Sequence, residues 1–220
     1  MPLTVGHRGA SAIAPENSLR AFELAIEHGL DMAELDVHLS RDRQLVVIHD
    51  ADLRRTAARP QRVDALTAAE LFGHGVPRLV DVFDLARGRL GIYVELKGDG
   101  TGTALAKLLA AGSADGVRLI SGSFVPELVA QLRRDAPSVP RSVLFASASV
   151  EAMIATCHEL EATYAHPCFR PVDRGMVDAL HQAGLLVMTP HTNDPDEARQ
   201  FAQLGVDVIA SDHPRVLAYL

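Results

Sequence analysis

Short apolar runs alternate with longer amphipathic segments along the chain. The amphipathic segments repeat their apolar residues with the period of a helix, as "SLRAFELAIEHG" (18–29) does with one apolar side. The short runs have the length and the apolar character of β-strands. Eight of these runs predict strands at residues 3–6, 32–37, 91–96, 117–121, 142–146, 162–166, 185–189 and 206–210.

The order of these elements predicts the class of fold. Eight strands that alternate with helices, with no linker or low-complexity tract, favour a (β/α)8 barrel, an α/β fold. An open doubly wound sheet is the alternative that the same pattern allows. We expect residues 1–220 to form a single domain, a compact TIM barrel without a large inserted subdomain.

Two stretches lie outside this repeat. The run "LVVIH" (45–49) is predicted to form a β extension that pairs back on the second strand. Residues 51–66 are basic and lack periodicity, so a loop on the barrel rim is predicted there. Directly afterwards, "TAAE" (67–70) has the Thr and Glu spacing of a capping box and predicts the start of a helix.

Composition and charge restrict the partners. A hydrophobic content of 48% with 22% charged residues is typical of a soluble globular protein. The net charge of −7 argues against nucleic acid or an anionic membrane as the main partner. We expect no signal peptide, because "MPLTVGHRGA" (1–10) lacks a basic segment followed by an apolar core. We expect no stable membrane insertion, because no apolar run approaches roughly 18 residues. Two free thiols, Cys157 and Cys168, suit a reducing compartment, so a cytoplasmic protein is expected.

Acidic residues collect at the carboxyl ends of the predicted strands, which form one face of a barrel and carry its active site. Glu34 and Asp36 are two residues apart, so strand alternation turns both side chains to the same side. Glu95 ends another strand in the same manner, and Lys97 shares its parity. Three converging carboxylates repel one another unless a divalent cation compensates them. Oxygen ligands without cysteine favour Mg²⁺ or Ca²⁺ as the cofactor.

Histidines and cations stand around these acids. His7 and His49 can serve as general acid and general base, because the ordinary pKa of histidine lies near neutral pH. Arg8 and Lys97 supply positive charge that suits phosphate oxygens. A metal, two cations and an acid/base pair together suit attack at phosphorus.

A structural interpretation of the same residues is the alternative. Glu34 and Asp36 can pair with arginines of neighbouring strands as ordinary ion pairs. A single histidine is more often a surface or core residue than a catalyst. That ordinary role is expected for six of the ten histidines: His28, His38, His74, His158, His181 and His213.

A series of short motifs runs without a gap from His7 to Thr56. It contains "HRG", then "PEN" followed by Ser, an "AF" helix, the "ELD" strand, and "HD" with Leu and "RRT" behind it. In these motifs the chain resembles the glycerophosphodiester phosphodiesterase family. Sparser matches follow at "VELK" (94–97), "SGSF" (121–124) and "GVDVIASDHP" (205–214).

This resemblance implies a (β/α)8 barrel and metal-dependent hydrolysis of glycerophosphodiesters to glycerol 3-phosphate and an alcohol. One histidine deprotonates the glycerol hydroxyl, the other protonates the leaving alcohol, and a cyclic phosphate is then hydrolysed. We favour His49 as the base and His7 as the acid. By position, the resemblance implies catalytic His7 and His49, phosphate-binding Arg8 and Lys97, and metal-binding Glu34, Asp36 and Glu95.

The chain departs from the family near the seventh strand. Trp-Thr-Val-Asn is usual there, whereas this chain has "PHTN" (190–193), so the pocket for the alcohol is expected to differ. Three other functions are weighed. A phospholipase D-like lyase would stop at the cyclic phosphate, and a phosphate-ligand binding module would lack turnover. A metal-dependent aldolase-type barrel fits the "HRG", "PEN" and "HD" motifs poorly. Monomer and homo-oligomer both remain open.

Overall fold

The fold was analysed in a computed structural model that describes residues 1–218 and Leu220. Its strands are β1 (Leu3–Gly6), β2 (Met32–Leu39), β3 (Leu45–Val47), β4 (Gly91–Leu96), β5 (Leu119–Ser123), β6 (Arg141–Phe145), β7 (Tyr164–Pro167), β8 (Leu186–Val187) and β9 (Val208–Ser211). Its helices are α1 (Leu19–Glu27), α2 (Arg54–Ala57), α3 (Ala68–Phe72), α4 (Leu79–Ala86), α5 (Thr101–Ala110), α6 (Pro126–Asp135), α7 (Val150–Glu159), α8 (Arg174–Gln182), α9 (Pro195–Leu204) and α10 (Pro214–Leu217). Among these described helices, none has the length and apolar content that a membrane crossing requires.

Eight of the strands form a parallel barrel. They lie in the order β8-β7-β6-β5-β4-β2-β1-β9, and each neighbouring pair along this order is parallel. An isolated parallel bridge between Met188 and Val208 joins the two ends of the order. The predicted (β/α)8 barrel is therefore confirmed, and the open doubly wound sheet is wrong.

Strand alternation divides the core into two layers. Between the sheet and the helices, Leu35 and Val37 of β2 belong to the large apolar cluster that includes Phe22 of α1. Inside the barrel, one apolar or aromatic side chain from each of the eight strand positions fills the lower half: Val5, Met32, Tyr93, Ile120, Leu144, Tyr164, Met188 and Val208. Because successive side chains of a strand alternate, Glu34 and Asp36 point into the barrel above Met32.

The segment after β2 makes an excursion from the barrel. Strand β3 pairs antiparallel with β2, with Val37 opposite Val47, so the predicted β extension is confirmed. The prediction of a loop over 51–66 is partly wrong, because helix α2 and a short 3-10 helix (Val63–Ala65) form there. Leu53 and Val63 are buried in a separate small apolar cluster under β3, and this burial orders the segment.

Candidate active site

The three predicted acids meet at the carboxyl ends of β2 and β4. Asp36 lies opposite Glu95 in the register of the two strands, and Glu34 lies two residues earlier on the same face of β2. All three side chains are buried, and each offers a carboxylate oxygen within 4.8 Å of the other two. The predicted convergence of these acids is what the structure contains.

Burial sets the electrostatics of this acidic cluster. The pKa of Glu34 lies well above its ordinary value, mainly because burial disfavours the charged form and also because Asp36 and Glu95 repel it. The same two causes, burial and then Asp36, raise the pKa of Glu95, while Lys97 opposes them. Full ionisation of the three acids between β2 and β4 is therefore unfavourable unless positive charge compensates it.

Protein cations offset part of this charge. The Lys97 ammonium lies 2.5 Å from Glu95 Oε1 and 3.2 Å from Asp36 Oδ1, and Arg8 Nε lies 3.4 Å from Asp36 Oδ2. Burial alone would lower the pKa of Lys97, but the two carboxylates outweigh it and raise that pKa. Lys97 is thus charged, and two cations stand against three acids.

Two buried carboxylate oxygens in the cluster, Glu34 Oε1 and Glu95 Oε1, accept no hydrogen bond among the described residues, and of these Glu95 Oε1 is paired with the Lys97 ammonium. Glu34 Oε2 accepts a hydrogen bond of 2.9 Å from the backbone N–H of Arg8. Glu34 Oε1 is buried and has no hydrogen-bond partner among the described residues. A buried oxygen without a donor, in a group of three acids with a surplus of negative charge, fits an oxygen-coordinated divalent cation.

The turn after β1 explains how Arg8 reaches this cluster. Strand β1 continues its pairing with β9 as far as the 2.9 Å hydrogen bond from His7 N to Ser211 O. Arg8 and Gly9 then adopt positive φ angles of 57° and 79°, which direct the Arg8 N–H at Glu34. A side chain at position 9 would also contact Ala21 at 2.7 Å, so this turn requires glycine.

Each predicted catalytic histidine is bound to a carboxylate. His7 Nδ1 lies 2.6 Å from Asp212 Oδ1, at the end of β9. His49 Nδ1 lies 2.6 Å from Asp50 Oδ1. In both rings Nδ1 is therefore engaged, which leaves Nε2 as the nitrogen for a substrate.

Both carboxylates remain charged. Hydrogen bonds lower the pKa of Asp50 to about 2, first from Arg55 and then, after an opposing contribution of burial, from His49. For Asp212, burial is the largest single influence and opposes ionisation. Hydrogen bonds from His7 and Asn193 nevertheless outweigh it and hold the pKa of Asp212 well below its ordinary value. A carboxylate stabilises the imidazolium that forms when a histidine takes up a proton.

These groups open into one pocket of about 280 Å³ at the carboxyl end of the barrel. Asp36 is 1% exposed and lies behind the pocket wall, in contact with Arg8 and Lys97. The other six predicted site residues all line the pocket: His7, Arg8, Glu34, His49, Glu95 and Lys97. The structure thus brings together the complete predicted set.

Several supporting residues were not assigned from the sequence. The side chain of Asn17 donates to Asp36 Oδ2 at 2.9 Å and accepts from the backbone N–H of Asp36 at 3.3 Å. His38, expected to be an ordinary surface or core residue, lies with Nε2 3.1 Å from the carbonyl oxygen of His49. The "PEN" motif was a signal for Asn17, and the strand end at 208–211 was a signal for Asp212. Neither signal reveals which residues Asn17 and Asp212 contact.

Fold and site together define an enzyme whose barrel gathers acids, cations and carboxylate-bound histidines in one pocket. The sequence profile of the Glycerophosphoryl diester phosphodiesterase family matches residues 7–216. The chain is 32% identical to the Bacillus subtilis protein YhdW over 231 residues, 96% of this chain and 94% of YhdW. It is 27% identical to the glycerophosphodiester phosphodiesterase of Caldanaerobacter subterraneus over 237 residues, 99% of this chain and 97% of that protein.

Solved structures agree. The glycerophosphodiester phosphodiesterase of Agrobacterium tumefaciens has a TM-score of 0.84 at 30% identity, with 100% of both chains covered. A phosphodiesterase from Oleispira antarctica, solved with the product sn-glycerol-3-phosphate, has the same fold, with a TM-score of 0.88 at 24% identity over 99% of this chain and 96% of that one. This chain belongs to the glycerophosphoryl diester phosphodiesterase family, and its enzyme class is that of the phosphoric diester hydrolases. The family predicted from the sequence is confirmed.

Proposed function

We propose that this enzyme hydrolyses glycerophosphodiesters to glycerol 3-phosphate and an alcohol, with a bound divalent cation and a histidine pair. One observation carries the proposal. His7 and His49 each have Nδ1 2.6 Å from a carboxylate oxygen, and both line the pocket that contains Glu34 and Glu95. Such a pair can take up one proton and deliver another within a single site.

Glu34, Asp36 and Glu95 are the residues that would hold the cation, either Mg²⁺ or Ca²⁺. When bound, the cation would offset the charge that develops on the non-bridging oxygens of the phosphate. Arg8 and Lys97 line the same pocket, and they would bind the phosphate and compensate the negative charge that it adds to the acidic cluster.

The two histidines move the protons. His49 takes the proton from the glycerol hydroxyl next to the phosphoester, and that oxygen attacks phosphorus. His7 donates its proton to the oxygen of the leaving alcohol as the bond from phosphorus to that oxygen breaks. The cyclic phosphate that remains is opened by water, with the proton transfers reversed, to give glycerol 3-phosphate.

A panel of glycerophosphodiesters tests the proposal, with glycerol 3-phosphate release measured in Mg²⁺, in Ca²⁺ and in excess chelator. We expect turnover of at least one panel member with a cation and none in chelator. His7→Ala and His49→Ala should each lower kcat by roughly 10²–10⁴-fold. His181→Ala is the matched control, because His181 binds Asp207 at 2.9 Å but does not line the pocket.

Three outcomes contradict parts of the proposal. Near-full activity of both histidine variants removes the acid/base assignment, and full activity in chelator removes the cation. A stable cyclic product in phosphorus NMR selects the lyase instead. Tight binding of the diesters without turnover selects a binding module.

A further inference from the structure

A third histidine lies against the proposed acid. The rings of His7 and His191 are stacked with their centroids 4.2 Å apart and their planes 9° apart. The side chain of His7 is 19% exposed, whereas His191 is an exposed residue. His191 is therefore the outer ring of the pair, and it covers one face of His7.

The arrangement is a stack and not a metal site. His7, His191 and Asp212 do bring one potential ligand atom each to within 4.8 Å of the others. The lone pairs of an imidazole lie in the plane of the ring, so two nearly parallel rings point them side by side and not at one ion. His7 Nδ1 is also already 2.6 Å from Asp212 Oδ1.

The segment that carries His191 is fixed from two sides. The carbonyl oxygen of His191 accepts a hydrogen bond of 3.1 Å from Arg170 Nη2. Two residues later, Asn193 Nδ2 donates to Asp212 Oδ2 at 2.7 Å. One oxygen of Asp212 thus contacts the edge of the His7 ring. The other oxygen anchors the segment that carries His191.

The charges around His191 favour its neutral form. Burial lowers the pKa of His191 first, and the positive charges of His7, Arg8 and Arg170 lower it further, against the opposing effect of Asp212. His191 therefore lays an uncharged, flat ring over the face of His7.

We propose that His191 is a positioning residue that, by stacking on His7, holds the imidazole in the plane that directs Nε2 at the leaving oxygen. This inference rests on the proposed role of His7 as the acid. Asp212 alone fixes only one edge of the ring, and rotation about that contact would still swing Nε2 away from the substrate. A flat side chain over the face removes that rotation, and small misplacements of a catalytic group cost up to about 10²-fold in rate.

Two variants of similar bulk separate stacking from mere filling of space. His191→Phe keeps a flat aromatic face and should keep kcat within about threefold of wild type, whereas His191→Leu should lower kcat roughly 5- to 50-fold with KM within about twofold. Proton NMR checks the geometry directly, because a stacked ring shifts the ring protons of His7 upfield in wild type and in His191→Phe but not in His191→Leu. A KM increase alone, or equal losses in Phe and Leu, would overturn the inference.

Comparison of leaving groups separates this inference from the proposed function. Each variant is assayed by the single-turnover rate of alcohol release on a glycerophosphodiester with an alkyl alcohol and on the matched p-nitrophenyl diester, whose phenolate leaves without a proton. If His191 acts through His7, His191→Leu follows the pattern of His7→Ala at smaller amplitude, with a loss on the alkyl diester only. Wild-type activity in His7→Ala would sink the acid assignment itself. An inactive His7→Ala with an unaffected His191→Leu would overturn only the role of His191.

Discussion

The two proposed catalytic histidines are held in different ways. His7 follows β1 and binds Asp212, which is 205 residues away in the chain and follows β9. His49 follows β3, outside the barrel wall, and binds Asp50, its neighbour in the chain. The His49 side chain is 33% exposed, against 19% for His7. One histidine thus depends on closure of the barrel and the other on a local excursion.

The excursion has its own tie to the barrel. Arg55 Nε lies 2.7 Å from Asp50 Oδ2, and its two terminal nitrogens lie 2.6 and 2.7 Å from the carboxylate oxygens of Glu16. Glu16 in turn accepts a 3.0 Å hydrogen bond from Arg8. Ion pairs that are partly exposed add little stability, so we expect Arg55 to orient Asp50 and His49 and not to stabilise the fold. Through Arg55, the local histidine is linked to the turn that carries the other one.

The largest effect is expected at the acidic cluster of Glu34, Asp36 and Glu95, because the proposed chemistry of both histidines depends on the cation that it would hold. Glu34→Gln removes a charge that the cation requires, so kcat should fall by at least about 100-fold although both histidines remain in place. Addition of Mg²⁺ or Ca²⁺ should raise the melting temperature of wild type and leave that of Glu34→Gln unchanged. Glu127→Gln, on the exposed surface of α6, is the control.

The same variant gives a pH signature without metal. The pKa of Glu34 is raised in the folded protein, so above pH 4.5, the ordinary pKa of a Glu side chain, the folded state still holds a proton that the unfolded state has lost. The stability of the folded state therefore falls as the pH rises above 4.5. Glu34→Gln does not titrate. Its advantage in melting temperature over metal-free wild type should therefore grow as the pH rises above 4.5. A constant difference would show that Glu34 is not desolvated.

A smaller effect should separate the two carboxylates that orient the histidines. Asp212 receives hydrogen bonds from Ser11 at 3.1 Å and Asn193 at 2.7 Å as well as contacting His7, so Asp212→Asn disturbs a shared anchor. We expect a loss in kcat of roughly 10²-fold for Asp212→Asn and about 10-fold for Asp50→Asn. Equal losses, or a larger one at Asp50, would mean that barrel closure does not make His7 the more dependent of the pair.

The smallest effect is expected at Arg55, which links the excursion to the barrel. Arg55→Gln should lower kcat about three- to tenfold and leave the melting temperature almost unchanged, because its ion pairs are half exposed. Arg62→Gln is the matched control. Arg62 makes a similar ion pair with Asp64, at 2.7 Å, and does not line the pocket. If both arginine variants behave alike, Arg55 does not orient His49.

Much of the site was predictable because it follows from strand alternation. The spacing of Glu34 and Asp36 on β2, and of Glu95 and Lys97 at the end of β4, determines which side chains face the barrel mouth. The match of "LVVIH" to a β extension likewise follows from its apolar pattern. These are local properties that a sequence carries directly.

The rest depends on contacts between distant parts of the chain. Nothing near His7 in the sequence indicates Asp212 as its partner, or that His191 lies over its face. The short helices within 51–66 were missed for a similar reason, since they depend on burial of Leu53 and Val63 in a cluster that the local pattern does not reveal. Arg55 is joined to Glu16 across 39 positions of the chain.

We propose above that His7 and His49 divide acid and base catalysis between them. The most direct measurement is the single-turnover rate of alcohol or p-nitrophenol release by His7→Ala and His49→Ala, relative to wild type, because this rate reports the first step alone. We expect this rate in His7→Ala to fall roughly 10²–10⁴-fold on the alkyl diester and little on the p-nitrophenyl diester, whereas in His49→Ala it should fall on both. Equal losses of the two variants on both substrates, or the reverse pattern, would contradict it.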